Sequence, residues 1–185
     1  MSVSWSPEEL TFIAENSKIN ITPHFTADKI KLLSGEFGPF TAGYSTKIPL
    51  WLALFLYSSQ LCDLIPPEWL NTSYLKKWVE KERQDKETLS KLPKDYMEIS
   101  FTFFNRASSI ISDCDQVKDL INRLWELRIE KIRKTIGEQS SETIDQYQFP
   151  NITQMELYLF REPISRITTL LTSLNECISP VDQSI

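Results

Sequence analysis

Between Pro49 and Gln60 the chain carries a run that is apolar nearly all round: Leu50, Trp51, Leu52, Ala53, Leu54, Phe55, Leu56 and Tyr57. A helix of this kind cannot lie on a surface with one face in water; it must be covered on several sides. It is also far short of the roughly 20 residues needed to cross a bilayer, so no membrane partner is expected. Its natural place is a junction, where a front lobe meets the rest of the protein. The segments on its two sides read differently.

The front part begins with a strong helix start. Ser6 can cap, Pro7 fits the first helical position and Glu9 can bond back to the cap. That helix, with Leu10, Phe12 and Ile13, should end near Asn16. Ile19 and Ile21 then alternate with polar residues, which predicts a strand stopped by Pro23. A second strand is expected over Lys29 to Leu33. Gly35, Gly38, Pro39 and Gly43 come next and predict a structured turn region. Cys62 to Ile65 reads as a brief strand before the Pro66-Pro67 break.

Beyond residue 66 the period becomes helical. Leu75, Trp78 and Val79 mark one helix, which runs into the charged tract Glu80 to Glu87. A second is expected from Pro93 to Ala107, with Tyr96, Met97, Phe101, Phe104 and Ala107 facing inward. A third starts near Asp113, with Gln116 as capping-box partner, and stops near Gly137. Its apolar positions are Val117, Leu120, Ile121, Leu124, Trp125, Ile132 and Ile136. Glu138 to Gln148 is a polar loop. Thr153 to Glu156 forms another capping box, and Pro163 predicts a kink or break at Arg161-Glu162. The pattern resumes with Ile164, Ile167, Leu170, Leu171, Leu174 and Ile178. The expected fold class is therefore mainly α: a small N-terminal β-rich (α+β) domain over residues 1–63, an all-helical, bundle-like domain over 64–179, and a disordered tail over 180–185.

Composition excludes several kinds of chemistry. The chain has one histidine, His24, and three cysteines more than fifty residues apart, Cys62, Cys114 and Cys177. Neither a disulfide framework nor zinc spacing is present, which predicts free thiols in a reducing compartment. The start, Met1 to Trp5, has no basic or apolar run, so no signal peptide is expected. Asp113 and Asp115 suit a helix start better than a metal. Gly35 to Phe40 lacks the lysine and hydroxyl residue of a phosphate loop. No nucleophile, base and oxyanion donors come together, so no enzyme, cofactor or metal is expected.

What remains is binding. The net charge is −5, and neither half is basic, so the bulk footprint of a dedicated DNA binder is absent. The tract Arg123 to Lys134 is locally basic, holding Arg123, Arg128, Lys131, Arg133 and Lys134 against Glu126 and Glu130, and Arg123, Arg128 and Lys131 lie near each other on a helical wheel. It admits three readings: a solvated face, ion pairing in a protein interface, or a direct nucleic-acid contact. Of the tryptophans, Trp51 falls in the apolar helix. Trp69, in a Pro-Pro-Glu-Trp context, is least explained by periodicity and reads equally as domain-joining core or partner interface. The candidate partner interface is Trp51, Trp69, Arg123, Arg128, Lys131 and Arg133.

Seven segments, in order, carry a resemblance: Ala27-Asp28-Lys29-Ile30, Gly38-Pro39-Phe40, Ile48-Pro49-Leu50-Trp51-Leu52-Ala53, Pro66-Pro67-Glu68-Trp69, Tyr96-Met97-Glu98, Leu124 to Arg133, and Asn151 to Glu156. Together they resemble the second-subunit family of the eukaryotic GINS complex, the "partner of Sld five, two" family, from about residue 9 to 175. The pair Pro-Leu-Trp-Leu-Ala and Pro-Pro-Glu-Trp is the specific part. The resemblance implies a β-rich domain before a helical one, a nuclear, non-catalytic role in DNA replication, and a heterotetramer with three other GINS subunits. It further implies partnership with the MCM helicase ring, a cell-division-cycle helicase factor and a leading-strand DNA polymerase, with DNA met only through the assembly. The chain departs from relatives around residues 41–47, 84–92 and 137–149, all expected to be loops.

Overall fold

The computed structural model describes residues 5–86, 88–138 and 150–178. The front part contains α1 (Pro7–Ala14), β1 (Lys18–Pro23), β2 (Ile30–Leu32), β3 (Gly35–Phe37), β4 (Thr46–Pro49), α2 (Leu50–Ser58) and β5 (Cys62–Ile65). The rest is helical: α3 (Thr72–Gln84), α4 (Tyr96–Arg106), a 3-10 turn at Ser108–Ile110, α5 (Cys114–Glu138) and α6 (Gln154–Ile178). The expected tail over 180–185 and most of the loop over 138–148 lie outside the described residues, as do the side chains of the stripe from Ile164 to Ile178.

The start of α1 forms as its sequence predicts. The Ser6 hydroxyl accepts from the Glu9 backbone at 3.2 Å, while Glu9 accepts from the Ser6 N–H at 2.7 Å. β1 is the central strand of a three-stranded antiparallel sheet, in the order β4-β1-β5. Ile19 and Ile21 are buried and their neighbours are not, so a slip of one residue would turn both isoleucines outward. β2 and β3 form a separate two-stranded hairpin.

Two strands were not expected. β3 lies inside the glycine-rich turn region, and β4 starts at Thr46, inside a stretch expected to be loop. Both are short, and a strand of three or four residues gains its order from a partner strand rather than from its own pattern. Gly38 does serve the turn: its φ is +106°, and a Cβ there would sit 3.1 Å from the Phe40 ring, which is fully buried.

α2 lies against β1, β4 and β5. Leu50, Leu52, Ala53, Leu54 and Leu56 are buried, while Phe55 remains 63% exposed. The Tyr57 hydroxyl reaches Ser109 Oγ at 3.3 Å, so α2 sits at the junction with the helical part. One hydrophobic core runs through both parts, from Ile19, Ile21 and Ile48 to Leu75, Phe103 and Ile121. α1 also crosses the sequence boundary and packs on α4 and α6, with Glu15 paired to Arg106 at 3.8 Å.

Three helical expectations are corrected. Of the residues expected to face inward on α4, Tyr96 and, just past its end, Ala107 are buried, and Met97 and Phe104 pack partly buried against the core, but Phe101 is 58% exposed, while Ile99 and Phe103 are buried. The buried face is therefore shifted from the expected one at Phe101, whose place in the core is taken by Phe103. α5 starts at Cys114, with Asp113 at a φ of +54°. A capping box needs an extended cap residue, so none forms at Asp113. Of the kink or break expected at Arg161-Glu162, the break does not occur: α6 continues through Pro163. Leu159 and Pro163 are both exposed, so water can take the place of the backbone donor that proline lacks.

Candidate functional site

Along α5 the buried positions are Val117, Ile121, Leu124, Arg128, Ile129 and Ile132. Arg128 occupies an inward position of an apolar stripe and is fully buried. All of its donors are used. Nε and Nη2 grip the two oxygens of Glu156 at 2.5 and 2.9 Å. Nη1 donates to Glu82 at 3.4 Å and to the Ser90 carbonyl at 2.9 Å, and Nη2 donates also to the Asn151 carbonyl at 2.8 Å. Lys131, 13% exposed, donates to the other Glu82 oxygen at 2.7 Å and to the Thr88 carbonyl at 3.1 Å.

The node is charge-balanced, two cations against two carboxylates, and it joins distant parts of the chain. Glu82 comes from α3. Ser90, from the loop before α4, donates its hydroxyl and its N–H to Glu82. Tyr96, from α4, donates to Glu156 at 3.2 Å. Glu156 also closes the expected capping box, accepting from the Thr153 N–H at 2.9 Å. Burial would lower the Arg128 pKa, but the hydrogen bonds and charge of Glu156 outweigh it and hold it above its usual value. Burial first, then the Glu156 charge, push the Tyr96 phenol far up. The node locks the four long helices together and cannot itself reach a ligand.

The four basic candidates therefore do not form one face. Arg128 points into the protein and Lys131 leans over Glu82. Arg123 and Arg133 stay exposed, Arg123 beside Glu126 at 3.7 Å in a weak surface pair. A nucleic-acid face built on all four is not favoured. Trp51 is half-buried, edge-on to Phe37 at 6.1 Å. Trp69 is half-buried and stacked on Trp78, with ring centroids 5.8 Å apart and planes 26° apart. Both pack against the core. Sequence reasoning missed Glu82 and the ionic role of Glu156. Spacing held the signal: Glu82 lies three residues past Val79, and Arg128 four past Leu124.

His24, just past the end of β1, and Asp63 of β5 make an exposed pair at 2.9 Å, and that hydrogen bond raises the histidine pKa. Burial pushes the Cys62 thiol up to about 11, so it stays protonated. Among the described residues, no three His, Cys, Asp or Glu side chains converge as a metal would need, and no helix is long and apolar enough to cross a membrane.

Glu98 is the exception to the pairing of buried charges. It is 2% exposed, and neither of its oxygens has a hydrogen-bond partner. Burial, the largest cause, raises its pKa from 4.5 to about 7, with Asp95 and Glu156 adding to the rise. Between those two values the folded chain holds a proton that the unfolded chain has lost, so stability falls as pH rises through this window. Replacing Glu98 with glutamine should remove about 2–3 kcal/mol of that fall. Urea unfolding of both proteins at pH 4.5 and pH 8 checks this; a difference that does not grow with pH contradicts it.

Large apolar side chains also remain outside. On α6 three consecutive residues, Leu157, Tyr158 and Leu159, are each well exposed. Phe12, Phe55 and Phe101 stand out elsewhere. These side chains offer apolar surface to a partner.

Two family models match in tandem: the PSF2 N-terminal domain over residues 6–65, and the GINS complex protein helical bundle domain over residues 69–175. Among curated proteins, the human "DNA replication complex GINS protein PSF2" is 36% identical over 150 residues, covering 80% of each chain. The Xenopus laevis protein of that name is 32% identical over 176 residues, covering 90% of this chain and 92% of its own. The Schizosaccharomyces pombe protein is 29% identical over 177 residues, covering 92% and 93%. The β-rich front, the helical part behind it and these matches along both together place the chain in the PSF2 family of GINS complex proteins.

Proposed function

We propose that this chain is a non-catalytic structural subunit of a GINS heterotetramer, acting in the nucleus in the initiation and elongation of chromosomal DNA replication. The observation that carries this reading is the tandem match: a PSF2 N-terminal domain and a GINS helical bundle domain, in that order, over nearly the whole chain. Exposed apolar side chains on α1, α2, α4 and α6 support it, because large obligate interfaces resemble a core cut in half. In this reading residues 1–63 and 64–179 act as two lobes of one unit. The exposed flanks of Trp51 and Trp69 are contact points, and Arg123 and Arg133 belong to a polar rim. Three other GINS subunits are the direct partners. Through them the chain joins the MCM ring and the cell-division-cycle factor of the replicative helicase and helps recruit the leading-strand polymerase.

Co-expression with the three sister subunits tests this directly. The expected product is a stoichiometric tetramer by size-exclusion chromatography with light scattering. A stable, monodisperse monomer indifferent to those subunits overturns the reading.

A further inference from the structure

Where α1, α4, α5 and α6 converge, the surface opens into a groove of about 400 Å³. Its walls are largely apolar: Met97 and Phe101 from α4, Trp125 from α5 and Met155 from α6. Among the described residues, the charged ones in its lining are Glu8 and Glu98, and no lysine or arginine lines it. Both Glu98 oxygens lack a hydrogen-bond partner. Each other buried charge among the described residues, on Glu82, Arg128 and Glu156, meets a partner of opposite sign.

An ionised carboxylate taken out of water without a donor is among the costliest groups a fold can hold. Such a group is explained when something outside the chain completes it. A metal ion is a poor completion here, because hard cations require several oxygen ligands and, although Thr11, Thr102 and Asn105 also line the groove, no three His, Cys, Asp or Glu side chains converge among the described residues. The groove instead suits a side chain that is apolar along its stem and cationic at its tip.

We propose that this groove receives a lysine or arginine side chain carried on an apolar segment of another subunit of the assembly, its cation pairing with Glu98. The proposal rests on the reading of the chain as an assembly subunit and adds to it one anchor point of defined chemistry. The acidic lining excludes an acidic segment. Met97, Phe101, Trp125 and Met155 cover the stem, and Glu98 lies at the buried end. Pairing would also return Glu98 to the ordinary carboxylate range, so a group that burdens the free chain becomes a contact in the complex.

Competition for limiting sister subunits tests this. Tagged wild-type chain and the Glu98→Gln variant are co-expressed with the other three subunits, and intact mass spectrometry reads which chain is incorporated. Loss of one partner of a buried charge pair should favour the wild type by about 30-fold or more. At pH 8 the isolated Glu98→Gln chain should melt at or above the wild-type temperature, because the unpaired charge is gone. Equal incorporation overturns the proposal alone. Weak incorporation together with a lower melting temperature also overturns it, since the loss is then one of folding. Failure of the wild-type chain to assemble overturns the assembly reading, and the proposal with it.

Discussion

Replacing Arg128 with methionine is expected to lower the unfolding free energy by about 3–5 kcal/mol and the melting temperature by roughly 10 °C or more. Methionine fills much of the same space but leaves Glu156 without its bidentate partner in a fully buried place. Lys131 still offsets Glu82, so the main penalty falls on Glu156 and on the start of α6 that it caps. Arg133→Ser, on the exposed side of the same helix, is the control and should stay within about 0.5 kcal/mol of wild type. The double variant Arg128→Met, Glu156→Met should lose less than the two single losses summed, because it leaves no orphan charge. Urea unfolding of five proteins (wild type, Arg128→Met, Glu156→Met, the double variant and Arg133→Ser) decides the matter; a loss below about 1 kcal/mol for Arg128→Met would show that the node does not hold the helices together.

The second large effect is expected on α4. Phe103→Ala should cost about 3–5 kcal/mol, since the ring is fully buried in the common core and its removal opens a cavity. Phe101→Ala, two residues earlier, should cost about 0.5 kcal/mol or less in the isolated chain. The pair separates the buried position of this helix from the exposed one by measurement. Equal losses would mean that Phe101, not only Phe103, faces the core.

Where one chemical group controls its own neighbourhood, the sequence was sufficient. Ser6, Pro7 and Glu9 predicted the start of α1, and Thr153 with Glu156 the start of α6, because capping acts within one turn. The alternation at Ile19 and Ile21 and the brief strand at Cys62 were legible for the same reason. β3 and β4 were not, because their order comes from pairing with β2 and β1, far apart in the chain for β4. At Pro163 the local rule pointed to a kink or break, and a solvent-facing position let the helix continue.

The candidate site divides the same way. Seven short segments in order were enough to mark the family, and residue types alone argued for binding rather than chemistry. Charge read from sequence as a surface property misplaced Arg128, although the stripe Val117, Ile121, Leu124, Ile132 already contained its position. The sequence could say which residues recur on one helical face. It could not say that Glu82, 46 residues earlier, and Glu156, 28 residues later, would meet Arg128 there. The apolar run after Pro49 shows the limit most plainly. Its all-round apolar character determined that it had to be enclosed, since water does not solvate such a surface. Only the tertiary structure decided what encloses it, and that Phe55 is left outside, because burial is settled by which elements pack together and not by the segment itself.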